Sequence, residues 1–325
     1  MNKNRVPLVG GSIKFSACIF TPKQKNMWAI FGLLSAVFLG IYDIFKKSSL
    51  NENAVMPVLF FATVTSAVIF LPIVTGSAFF PETFQQIGLY SPALTFSEHL
   101  QVLLKAAIVI FSWILAYFAL KNLPISIFAP IRATSPLWTL IGAIIIFNER
   151  LNLLQWVGII LTLGFFYLFS TAGKQEGIHF QKNKWVILVI AATMLGAVSG
   201  LYDKFIIGRI DRIAVQGWFS FYQVAIMLPV IGIFWYPTRK KTTRFRWRWA
   251  IPAIGITLVV ADFLYFYALS MEDSMISIIA ALRRSSVLIA FILGALIFKE
   301  QNLKSKGIFL LGILAGILII TLGSS

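Results

Sequence analysis

Long apolar stretches broken by short polar ones set the pattern of this chain. Runs bounded by charge, Pro or Gly cover residues 27–45, 54–75, 100–120, 125–147 and 153–171, then 185–207, 213–235, 250–270, 276–298 and 307–322. A helix that crosses the hydrocarbon core needs about 20 predominantly apolar residues, and these runs have that length. The only sizeable connections are 76–99, 172–184 and 236–249, which leaves no room for a soluble domain. The pattern predicts an all-α membrane protein of about ten transmembrane helices.

Composition sharpens this. The 325 residues are 58% hydrophobic and 12% charged, whereas a soluble domain carries roughly 25% charged residues, so the chain cannot cover its surface in water. The net charge of +16 does not imply a nucleic-acid partner. Lys and Arg mostly lie between the apolar runs, where cytoplasmic retention of positive charge puts them, and no soluble domain is large enough to present a basic surface. Cys18, the single cysteine, makes no internal disulfide. Residues 1–26 hold five cations around Val6 to Ile13, a stretch too short to span and followed by no small-residue cleavage site. This tail is expected to be a disordered leader or a start-site artefact.

The two sets of five runs resemble each other, as internal repeats do. Gly40-Ile41-Tyr42-Asp43 and Phe45 in run 1 recur as Gly200-Leu201-Tyr202-Asp203 and Phe205 in run 6, displaced by 160. Ser126, Arg132, Phe147 and Glu149 recur as Ser277, Arg283, Phe298 and Glu300, displaced by 151. An odd number of helices per repeat makes the second copy enter the membrane from the opposite side. The expectation is two inverted five-helix repeats, 27–172 and 185–323, an architecture of many secondary transporters.

The repeat-closing patterns carry a resemblance. Phe147-Asn148-Glu149-Arg150 leads to Gln155 and Gly158, and Phe298-Lys299-Glu300-Gln301 leads to Gly307, two residues shorter from Glu to Gly. With these the chain resembles the drug/metabolite transporter superfamily, in its branch with two EamA repeats, over residues 27–322. The resemblance implies a ten-helix permease or exporter with a central cavity, in a family that handles amino acids, nucleosides, nucleotide-conjugated sugars or toxic organics. Aromatic-rich spans with both charge signs point to a small amphipathic or zwitterionic organic solute, amino-acid-like or nucleoside-like. It implies a multi-pass protein of the inner (cell) membrane, whose partners are the solute and the lipid bilayer. The alternatives are a non-transporting scaffold or sensor and a membrane-embedded enzyme. The enzyme reading finds no support in motifs: His99 and His179 lie in connections, and no H-E-x-x-H, phosphate loop or Ser-His-Asp set occurs. No cofactor or metal is expected.

Ionisable groups inside spans are costly and face a cavity or each other. Helix direction places Asp43 and Arg132 towards one face, and their repeat counterparts Asp203 and Arg283 towards the other. Each Arg lies seven residues into its run, about 10 Å deep at 1.5 Å per residue, and can snorkel towards the shallower Asp. Asp43 with Arg132 and Asp203 with Arg283 are therefore the candidate gates, or else permanent ion pairs that fix helix contacts. Asp262, twelve residues into run 8, aligns with Trp113 of run 3 and breaks the internal match near the midplane, where such folds bind substrate. Asp262, Trp113, Tyr117 and Tyr265 are the candidate substrate-binding residues. Gly312 and Gly316 form a G-x-x-x-G, which permits close helix approach, either at a homodimer face or in internal packing. Pro130 and Pro136 flank Arg132, which implies an ordinary kink in its helix or else a flexing gate helix.

Charge counting bears on orientation. Connections that follow odd-numbered runs hold fifteen Lys and Arg, against three on the other face, or eight with the tail. Positive charge stays cytoplasmic, so this count puts both termini outside, whereas the resemblance implies both inside. A reporter fused after Ser325 that works only in the cytoplasm should stay silent by the charge count; activity would establish the family orientation.

Overall fold

A computed structural model of the chain describes residues 27–135, 137–138, 152–174, 182–207, 209–269, 271, 282–283, 285–298 and 303–323. Pro136, Phe147, Glu149, His179, Ser277, Arg284, Glu300 and the tail, like the side chain of Lys204, lie outside the described residues.

The described residues are predominantly helical, with no strand among them. Its helices are α1 (Met27–Leu50), α2 (Val55–Phe79), α3 (Pro81–Gln86), α4 (Phe96–Asn122), α5 (Ile125–Ala133) and α6 (Leu153–Lys174) in the first half. The second half has α7 (Lys184–Ile207), α8 (Arg212–Val230), α9 (Ala250–Leu269), α10 (Ser286–Phe298) and α11 (Leu303–Gly323). Seven of these are long and apolar enough to cross a membrane: α1, α2, α4, α7, α8 with its extension to Trp235, α9 and α11. Leu153–Phe169 and Ser286–Phe298 form shorter apolar helices. Large apolar side chains such as Val68, Ile160 and Leu296 stand exposed on the outer surface, as a lipid-facing wall requires and a water-facing one does not tolerate in quantity.

Local chemistry explains the helix ends. Thr95 and Glu98 close α4 with a reciprocal capping box, and the Asp211 carboxylate accepts from the backbone N–H groups of Ile213 and Ala214 at the start of α8. Pro229 lacks a backbone donor, and just after it α8 widens into a π turn over Ile231–Trp235, a common response to a broken hydrogen-bond ladder.

Helix pairing respects the repeat. The main pairs between the halves are α6 with α11, α1 with α9, α4 with α7, α2 with α8, α1 with α10, α2 with α9, α4 with α8, α5 with α10 and α5 with α7. Exchanging each helix for its repeat counterpart (α1 for α7, α2 for α8, α4 for α9, α5 for α10, α6 for α11) maps this set of pairs onto itself, while a weaker contact of α5 with α11 lies outside it. At one end, hydrogen bonds tie the connections together: the Asn53 amide to the backbone of Arg246, Lys121 Nζ to Thr243 Oγ1 at 2.8 Å, and Arg248 to the Ser48 carbonyl at 2.6 Å. At the other end Tyr202 donates to the Gln101 carbonyl at 3.3 Å, and the Tyr222 hydroxyl meets His99 Nδ1 at 2.8 Å.

The G-x-x-x-G lies inside the chain, where α11 crosses α6. A Cβ on Gly316 would come within 2.3 Å of Thr162 Oγ1 and 3.0 Å of the Gly158 carbonyl, and one on Gly312 within 2.3 Å of the Phe165 ring. Gly158 is itself backed onto Gly316. These glycines let two backbones touch, which is the physical use of small residues between membrane helices. Replacing Gly316 by Leu should destabilise the protein by about 1–3 kcal/mol through overpacking, whereas Gly164→Ala, where a Cβ meets nothing within 4 Å, should be nearly neutral. Thermal unfolding in detergent, compared between the two variants, checks this.

Candidate functional site

Near the end marked by His99 and Tyr222, four charges from four parts of the chain converge. Lys105 of α4 holds the Asp203 carboxylate of α7 at 2.7 Å, and its ammonium lies 4.9 Å from the centre of the Phe219 ring. Arg283, just before α10, is ion-paired and hydrogen-bonded to Asp262 of α9 and lies 4.1 Å over the ring of Tyr265. Asp203 lies within electrostatic reach of Asp262 and Arg283 as well as of Lys105, so two acidic and two basic side chains share this end. Cations over aromatic rings gain further attraction where water is excluded.

The counterpart near the opposite end is built differently. Asp43 is bonded to Lys46 of the same helix at 2.7 Å. The buried Lys46 ammonium lies 4.3 Å from the Tyr42 ring, 5.3 Å from that of Tyr117 and 5.6 Å from that of Phe128. Arg132 reaches across to α7, where it and Ser112 both donate to the Ala192 carbonyl, at 3.1 and 2.8 Å. Asp43 acts on Arg132 through its field, but in this conformation its direct bond goes to Lys46.

Between α2, α8 and α9 lies a narrow polar slot of about 30 Å³. Ser66, Gln216, Ser220, Gln223 and Asp262 supply its polar wall, and Phe70, Phe219 and Leu258 part of its apolar one. Gln216 and Gln223 are 8% and 1% exposed, and neither the amide nitrogen nor the amide oxygen of Gln216, nor the amide nitrogen of Gln223, has a partner among the described residues. Most buried polar groups are hydrogen-bonded, so two unpaired amides on one face of α8 call for a physical reason.

Of the residues expected from sequence, Asp262 borders this slot, Trp113 packs edge-on against Phe219 with ring centres 6.5 Å apart, and Tyr265 lies under Arg283. Tyr117 is in the other cluster, with Asp43. Asp203 and Arg283 share one cluster, where Lys105 and Asp262 are their direct partners. Gln216 and Gln223 were not among the expected residues, although two amides seven apart in an apolar run are a readable signal of one polar helix face.

Fold and site together define a multi-pass membrane protein with a polar site buried among its spans. A family model for the EamA-like transporter family matches residues 26–171 and again 183–322, so the chain belongs to that family. Its members are transporters. A search of curated proteins finds no match. A protein of known crystal structure superposes with a TM-score of 0.60 at 13% sequence identity, over 92% of this chain and 98% of its own; at that identity the likeness speaks for the fold alone.

Breaking a buried ion pair by removing one partner leaves an uncompensated charge. Lys105→Met and Asp203→Asn should therefore each destabilise the protein more than the double variant does, with a coupling of about 0.5–3 kcal/mol. A double-mutant cycle on thermal unfolding reads this directly, and additive losses would show that the two residues act separately.

Proposed function

We propose that this protein is a secondary transporter that moves a small amphipathic or zwitterionic organic solute, amino-acid-like or nucleoside-like, across the cell (inner) membrane by alternating access. The observation that carries the reading is the slot between α2, α8 and α9, with the unpartnered amides of Gln216 and Gln223 beside the Asp262 carboxylate. A polar group buried without a partner costs on the order of 1–3 kcal/mol. A solute with its own donors and acceptors offsets that cost. Primary amides supply both kinds of group and a carboxylate accepts, which suits an amine or hydroxyl-bearing solute.

In this reading the two halves are inverted repeats, 27–172 and 185–323, related by an axis in the membrane plane. The reading is supported by the odd number of runs in each half and by a set of helix pairs that survives exchange of the halves. A slot of about 30 Å³ has room for roughly one water, so a metabolite enters only when helices part. Asp262 both lines the slot and holds Arg283, which makes substrate entry compete with the ion pair. The cluster of Lys105, Asp203, Asp262 and Arg283 is then the gate at one end, and Asp43 with Arg132, shielded by Lys46, the gate at the other. Trp113 and Tyr265 support the slot through Phe219 and Arg283, and Tyr117 supports the opposite gate through Lys46.

Uptake of a labelled metabolite pool into liposomes that carry the purified protein tests this. Asp262→Asn should abolish concentrative transport with membrane insertion intact, and Gln216→Ala should raise KM more than it lowers kcat. Wild-type rates in the Asp262→Asn protein would refute the site; absence of transport with every pool, including the wild type, would point to a scaffold or sensor.

A further inference from the structure

The segment Arg244-Phe245-Arg246-Trp247-Arg248-Trp249 alternates cations and aromatic rings. It is pinned across the end of the helices. Phe245 stacks on Phe61 and Trp247 meets it edge-on, each with ring centres 5.4 Å apart. Asn53 takes both backbone groups of Arg246, its amide donating to the carbonyl at 2.7 Å and its oxygen accepting from the N–H at 2.8 Å. Arg244 and Arg246 are left exposed, and Trp249 is 83% exposed. Exposed indoles beside arginines suit the depth where lipid headgroups lie.

Next to this strap, between the ends of α2, α4 and α7 and residues 234–243, opens a cavity of about 510 Å³. Its wall has two chemistries. Lys121 and Lys241 supply positive charge, Thr238 and Thr242 supply hydroxyls, and among the described residues no Asp or Glu lines it. Val55, Met56, Phe118 and Phe234 make the other side apolar. Trp235 also lines it, and its indole N–H is buried without an acceptor among the described residues. The volume falls in the range of pockets for small organic ligands. The occupant that fits is anionic and acceptor-rich at one end and apolar at the other. Basic pockets at the cytoplasmic ends of spans hold anionic headgroups in this way.

We propose that this cavity is a binding site for an anionic glycerophospholipid, with its phosphate against Lys121, Lys241 and the Trp235 N–H and its acyl chains along the apolar wall. The site is separate from the slot at Asp262 and does not depend on the transport reading.

Native mass spectrometry of the full-length protein in detergent, titrated with phosphatidylglycerol, phosphatidylcholine and inorganic phosphate, tests it. Phosphatidylglycerol should bind tighter than phosphatidylcholine, and its affinity should fall about fivefold for each of Lys121→Gln and Lys241→Gln. Lys241 is exposed and carries no side-chain hydrogen bond among those described, so Lys241→Glu keeps the fold and should weaken phosphatidylglycerol further. Equal binding of the two lipids, or an affinity unchanged in Lys241→Glu, would overturn the proposal. So would inorganic phosphate competing as well as phosphatidylglycerol, which would make this a small-anion site.

Discussion

Three carboxylates within the spans, Asp43, Asp203 and Asp262, each have a cation in direct contact, and the arrangement of the polar interior follows from that requirement. In a low-dielectric medium an ion loses its hydration and recovers the cost only from a close partner with good geometry. The partners come from different distances along the chain. Lys46 is three residues from Asp43 on the same helix, Arg283 approaches Asp262 from another element, and Lys105 reaches Asp203 across the halves. The last two pairs draw α4, α7, α9 and the start of α10 together at one end. The first involves no second helix, so the end near Asp43 depends instead on the hydrogen bonds of Arg132 and Ser112 to Ala192 and on the packing of the tyrosines around Lys46.

The internal repeat and the ion pairs pull in different directions. Helix pairing keeps the symmetry, since the main pairs between the halves survive their exchange. The charges break it. Neither Lys46 nor Lys105 has a cation at the equivalent place in the other half: the displacement that relates Asp43 to Asp203 gives Ile206, and the one that relates Trp113 to Asp262 gives Ile254. A duplicated scaffold thus holds two polar clusters of different make-up, and the slot with the unpaired amides of Gln216 and Gln223 lies beside the cluster that joins the halves.

Three features depended on distances that a linear pattern does not contain. The repeat pointed to Asp43 with Arg132 and Asp203 with Arg283 because those residues align, but a charge selects whichever opposite charge can desolvate beside it, and Lys46 and Lys105 are nearer. Lys46 and Lys306, counted by position as flanking bases, are in fact buried, with Lys306 donating to Ser126 Oγ at 2.9 Å. Likewise Gly312 and Gly316 marked a close helix contact in sequence, and only packing identified α6 as the helix they meet.

The sequence by itself determined the solvent, the helical class, the twofold repetition and the presence of costly charges in the spans. These follow from composition and from periods along one strand of chain, since a bilayer accepts only helices or closed barrels and about 20 apolar residues make a span. The tertiary structure decided which charges meet, which amides are left without partners and where a cationic cavity opens, because partner choice among buried groups is set by distance and desolvation between helices far apart in sequence.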